Sequence, residues 1–160
     1  MEKDRSNYIN ELELKLKEYE VAFEEISSPI IPSIIPNTIL VPLTGQLTVE
    51  RFENIRQKLL SFVKNNPEVD AAIIDFTGIN NEDISSIGYE KLANEIHQVA
   101  NALQLMGVEA IYAGFKPKAV QSMVLSGIDL DLTAHANFRK ALEFLMKKKG
   151  LQFVTNAIHS

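Results

Sequence analysis

"AAIIDFTGINNEDISSIG", residues 71–88, opens on an apolar run interrupted only by Asp75. A continuous rather than alternating apolar run is the pattern of a strand covered on both faces, so Ala71 to Phe76 is expected at the centre of a sheet. The chain leaves that strand through Asp75, Thr77 and Gly78, residues suited to a turn whose side chains bond loop N–H groups. It then offers Ser85 and Ser86 beside acidic residues, where the next helix is expected to begin. Two explanations stand side by side. The serines cap the helix, or they accept phosphate near its N-terminus, with Glu82 and Asp83 opposing the added charge.

The flanking segments repeat the alternation of strand and helix. Thr38 to Leu43 reads as a strand, preceded by Ile30 to Ile35, which its prolines confine to a sheet edge; Asn37 supplies the turn between them. Thr48 caps a helix to about Asn65 with Phe52, Ile55, Leu59, Phe62 and Val63 on one face, and Pro67 stops it. From Tyr89 the stripe Leu92, Ile96, Val99, Leu103 and Met106 predicts a helix ending at Gly107, with His97 partly buried beside it. Glu109 to Gly114 is a second covered strand. Pro117 opens a helix through Ser126 with Ala119, Val120, Met123 and Val124 inward. A last helix, Asn137 to Lys148, carries Phe138, Ala141, Leu142, Leu145 and Met146 and ends at Gly150. Strands separated by helices require crossovers, which gives an α/β layer with a mixed sheet of four to five strands and about four helices.

At the N-terminus Ile9, Leu12, Leu16, Tyr19, Phe23 and Ile26 recur at alternating steps of three and four among Glu and Lys, as heptad a and d positions do. Such a stripe needs a partner, and pairing with the same segment of a second copy is the expectation. Residues 1–28 therefore read as an amphipathic linker helix, 29–149 as the domain and 150–160 as a C-terminal tail in which Phe153, Val154 and Ile158 are available to dock.

With 160 residues, 46% of them hydrophobic and 23% charged, the chain has material for one core plus an added segment. A net charge of -5 opposes binding to nucleic acid or anionic membrane. The basic run Lys147 to Lys149 complements a helix C-terminus. There is no cysteine, which excludes thiolate metal sites and thiol nucleophiles. No apolar run reaches the roughly 20 residues of a spanning helix, and MEKDRSNYIN lacks a signal core. A cytoplasmic, soluble protein is expected.

Chemistry is sparse. Neither G-x-G-x-x-G nor a P-loop occurs, His97, His135 and His159 lack metal-ligand spacing, and no G-x-S-x-G elbow accompanies the serines. No catalytic residue, metal or cofactor is assigned. A phosphoacceptor receiver needs an acidic pair after an early strand to hold magnesium, and Thr44, Gly45 and Gln46 supply no carboxylate there. Two strand exits remain, Asp75 to Ser86 and "AGFKPKAVQS", Ala113 to Ser122, at the ends where open α/β sheets place function.

Through "SPIIPSIIPNTILVPLTGQLT", "AIIDFTGI", "LQLMGVEAIYAGFKPKAVQSMVLSGIDL" and "NFRKALEFL" the chain resembles the STAS domains of anti-sigma-factor antagonists, and among them the RsbR and RsbS type that form stressosomes. The resemblance implies a STAS fold without enzymatic activity, lacking here a sensor domain. It implies a serine/threonine switch kinase of the RsbT kind as partner, together with other RsbR- or RsbS-like antagonists. Two phosphoacceptor positions are implied, one at the start of the second helix and one at the start of the third, where Ser122 aligns. For the first, counting back from Gly107 gives Glu90, while local chemistry gives Asp83, Ser85 and Ser86. Asp75, Thr77, Gly78, Asp83, Glu90 and Lys116 are the residues that the resemblance places at the kinase-facing loops. Two other readings remain. One is the output module of a sensor, binding a ligand or partner without phosphorylation. The other is a small hydrolase or nucleotide-binding protein using Asp75 and Thr77.

Overall fold

The computed structural model describes residues 1–127, 133–152 and 154, without the side chains of 24–27. Expectations for Ile26, Phe153, Ile158 and His159 therefore lie outside the described residues. The element order is α1 (Glu2–Ser27), β1 (Ile31–Pro32), β2 (Thr38–Thr44), α2 (Val49–Asn65), β3 (Ala71–Gly78), α3 (Asn81–Ile84), α4 (Tyr89–Leu105), β4 (Glu109–Ala113), α5 (Pro117–Leu125), β5 (Thr133–His135) and α6 (Phe138–Lys148).

Among the described residues five strands lie in sequence order, β1 antiparallel to β2 and all later neighbours parallel. Crossovers that advance in one direction with one hand must place their helices on one face. Accordingly α2, α4 and α5 share a core with one set of strand residues, Ile39, Val41, Ala72, Ile74, Phe76 and Tyr112. The alternate residues Ala71, Ile73, Ile111 and Ala113 face the other way and are covered by Ala141 and Leu145 of α6. β3 is thus central and covered on both faces, as its apolar run predicts.

The helix stripes behave as expected on α2 and α6, and on α4 up to Leu103; Met106 follows the helix end at Leu105 and is 40% exposed. Thr48 caps α2 by accepting from the Arg51 N–H, and Asn137 caps α6 by accepting from that of Lys140. Three further expectations need correction. Only Ile31 and Pro32 of the first strand pair, because the Ser33 N–H turns back to the Thr38 carbonyl around Asn37, which sits at φ 60°. In α5 only Ala119 and Met123 are buried, while Val120 and Val124 are 43% and 67% exposed; a nine-residue helix packs one i, i+4 row, and their row lies a step further round. His97 is exposed, hydrogen-bonded to Asn101.

The lower end of the sheet is tied by α6. Lys148 pairs with Glu109, and Lys149 Nζ reaches Asp70 Oδ1 at 2.6 Å and the Pro36 carbonyl at 2.7 Å. The basic run expected to complement a helix end therefore also holds strands β2, β3 and β4 to it. On the other face Tyr112 donates to the Ile96 carbonyl at 3.0 Å, and burial pushes its phenol well above the ordinary tyrosine range. A tyrosine whose folded pKa is raised stabilises below its unfolded pKa, about 10, and loses that contribution as pH rises further. Tyr112→Phe should cost about 1 kcal/mol at neutral pH and flatten the fall in stability above pH ~10. Urea unfolding between pH 8 and 11 checks both; an unchanged slope would show that Tyr112 ionisation contributes nothing.

Candidate functional site

The carboxyl ends of β3 and β4 open onto one surface, built from the two loops that follow them. At the first exit Asp75 Oδ1 accepts from the Thr77 N–H at 3.0 Å and from Thr77 Oγ1 at 2.6 Å. This is the local turn chemistry expected of an Asp two residues before a Thr. The second exit crosses directly above it. Gly114 has φ +80°, and a Cβ there would stand 2.3 Å from Thr77 Oγ1 and 2.7 Å from Asp75 Oδ1. Only glycine satisfies both that backbone angle and that approach.

Lys116, just before α5, closes the gap between the exits. Its ammonium donates to the Ile79 carbonyl and, at 2.7 Å, to Asn80 Oδ1. Asp83 accepts from the Asn80 N–H at 2.8 Å and so fixes the start of α3. Asp75, Thr77, Asp83 and Lys116 are therefore brought together as loop organisers. Asp75 is half-buried and bonded to its own turn, an arrangement that anchors the loop.

The serines do not begin a helix. Ser85 closes the short α3, and α4 starts at Tyr89 after Gly88, whose φ is 76°. Glycine is needed to turn the chain between the two helices, and this displaces the serines from the helix start that local chemistry suggested. Glu90, exposed in the first turn of α4, occupies that start, a favourable place for a negative charge.

The two serines, both exposed, differ in what they hold. Ser85 Oγ donates to the Glu82 carbonyl at 2.7 Å, a bond within its own turn. Ser86 Oγ accepts from Gln46 Nε2 at 2.9 Å, a bond to a loop forty residues away. The same loop is joined again where the Leu47 N–H donates to the Asp83 carbonyl at 2.8 Å. Ser122 stands half-buried in the second turn of α5 rather than at its start, apart from these contacts.

Gln46, Arg51 and Gly114 were not singled out from the sequence. Arg51 had a signal: it lies four residues before Ile55 and eight before Leu59, on the inward stripe of α2, and it is buried. Gln46 carries none, because its role depends on a partner far along the chain. Among the described residues no group of His, Asp or Glu is placed to hold a metal ion, and no helix is long and apolar enough to cross a membrane.

No protein-family model matches the chain. It is 32% identical over 135 residues to the RsbT co-antagonist protein RsbRA of Bacillus subtilis (strain 168), a match covering 81% of this chain and 46% of that protein. It is 30% identical over 139 residues to a blue-light photoreceptor of Listeria innocua serovar 6a, covering 86% and 50%. The chain thus spans about half the length of the curated relatives it matches. Among solved structures, a single-residue variant of RsbS from Moorella thermoacetica superposes with a TM-score of 0.60 at 16% identity, over 78% of this chain and 98% of that one.

Proposed function

We propose that this chain, a STAS domain related to the RsbT co-antagonist proteins at about 30% identity over most of its length, is a regulatory docking surface for a serine kinase of the RsbT kind. It performs no bond-making of its own and works within a stressosome beside other RsbR- and RsbS-like antagonists. The observation that carries this reading is the Ser86 hydroxyl, exposed at the strand exits and bonded to a distant loop. In the transfer, the kinase's base takes the hydroxyl proton, the Oγ–P bond forms, and the bond from the γ-phosphoryl group to ADP breaks.

The added phosphate brings close to two negative charges onto a loop that already carries Glu82 and Asp83. Lys116 is held by Ile79 and Asn80, so the phosphate meets like charge and displaces the Gln46 amide, loosening the face that the kinase covers. Ser85 closes on its own turn and transmits nothing comparable. Glu90 keeps a fixed charge at the α4 start, Ser122 is a secondary acceptor, and Asp75, Thr77, Gly78, Asp83 and Lys116 frame the docking loops. Two copies associate through Ile9, Leu12, Leu16, Tyr19, Phe23 and Ile26 of α1.

Titration calorimetry of the full chain with an RsbT-type kinase in ADP tests the docking. Binding is expected for the native protein, and Ser86→Asp should weaken it about tenfold, the effect of one charge repelled at a contact. Equal heats for both, or none for either, would refute it. A second reading, the output half of a sensor, is favoured by the likeness to a photoreceptor over 86% of the chain. It differs in leaving Ser86 unmodified.

A further inference from the structure

We infer that Arg51 is a positioning residue for the Ser86 loop, acting through Gln46, so that the seating of the end of α1 sets how firmly Ser86 is held; the inference rests on the assignment of Ser86 above. Arg51 is 4% exposed on the inward face of α2. A guanidinium is retained in such a place only when its fork of donors finds acceptors. Its Nη1 donates to the Gln46 carbonyl at 2.9 Å and its Nη2 to Ser28 Oγ at 2.9 Å. The Phe23 ring lies 5.4 Å from the guanidinium carbon, within reach of a cation–π contact. The Ser28 carbonyl in turn accepts from Lys58 at 2.8 Å. One cation thus joins the last part of the N-terminal helix and the residue after it to the 45–47 loop.

That loop faces two ways. Its carbonyl at Gln46 belongs to Arg51, while its Gln46 side chain belongs to Ser86 and its Leu47 N–H to Asp83. Leu47 is fully buried between them, so the segment cannot shift at one contact without disturbing the others. Gly45, at φ +78°, passes beneath Phe23, where an added Cβ would lie 3.2 Å from Cζ. Lifting the end of α1 withdraws Phe23 and Ser28 from Arg51, releases the Gln46 carbonyl and frees the Ser86 hydroxyl. With α1 seated, Ser86 stays held.

Hydrogen–deuterium exchange of the full chain, read by mass spectrometry over residues 81–88, tests this without any kinase. Gln46→Ala, Arg51→Lys and Ser28→Ala should each speed exchange there about fivefold, the factor of one net hydrogen bond, while residues 109–113 keep the native rate. Lysine retains the charge but cannot span two acceptors. Gln46→Ala with Arg51→Lys should speed exchange by less than the product of the two single effects, since both loosen one loop whose Leu47 also bonds Asp83 and Ser86. Arg51→Lys that speeds exchange in α2 and leaves 81–88 unchanged would overturn the inference, as would a double variant whose effects multiply. Ser28→Ala removes a single hydroxyl; if Arg51→Lys does not fold, native exchange at 81–88 in the folded Ser28→Ala protein overturns it equally. Coupled exchange in a protein that binds no kinase would sink the proposed function and leave this relay standing.

Discussion

Gly114→Ala should destabilise the protein by about 3 kcal/mol or more, lowering the thermal midpoint by about 10 °C for a domain of this size. The angle at Gly114 and the space around it act together. At φ +80° any side chain is strained, and here the new methyl would also meet Thr77 Oγ1 at 2.3 Å, the Thr77 nitrogen at 2.6 Å and Asp75 Oδ1 at 2.7 Å. These atoms belong to a turn that is itself hydrogen-bonded, so they cannot withdraw without breaking the β3 exit. Gly107 provides the control, with φ +77° and nothing within 4 Å of the added carbon. Gly107→Ala should cost only the backbone term, roughly 1 kcal/mol. Denaturant midpoints of the two variants separate strain from contact, and equal losses would mean that the two strand exits are not locked together as described.

The N-terminal helix carries the other large effect. α1 is 26 residues long, and Ile9, Leu12, Leu16, Tyr19 and Phe23 are each about half exposed or more. An apolar stripe of that length in water favours a paired state. Replacing Leu12 and Leu16 together by Lys removes both leucines from each copy and sets like charges face to face. Each buried leucine contributes ~1.5 kcal/mol or more, so the dissociation constant should rise at least about a thousandfold. Sedimentation equilibrium at micromolar concentration should show a native dimer and a monomeric variant, both folded. A native monomer, or a variant that remains dimeric, would remove the stripe from the account of assembly.

What the sequence made legible was whatever depends on local periodicity. The β3 run, the inward rows of α2, α4 and α6, the cap at Thr48 and the turn at Asn37 all follow from spacing and residue type, and the structure has them. Two elements, α3 and β5, are four and three residues long, too short for any period to register. The serines were misplaced for a related reason: Gly88 divides what looked like one helix start into two. The site itself was legible as a region, because strand exits can be located from the strands. Its wiring was not. The bonds from Gln46 to Ser86, from Lys116 to Asn80 and from Arg51 to Ser28 join residues 40, 36 and 23 positions apart, and a single chain carries no local mark of such pairs. The resemblance to STAS domains carries the expectation of the fold, while the proposal of Ser86 over Ser85 rests on the Ser86 hydroxyl being the one bonded outside its own turn.

The most direct measurement is the mapping of phosphate by mass spectrometry after the full chain is incubated with an RsbT-type kinase and ATP, in the native protein and in Ser86→Ala. A regulated docking surface centred on this loop predicts modification at Ser86 in the first and its loss in the second. Phosphate confined to Ser122, or none on either protein, would contradict it.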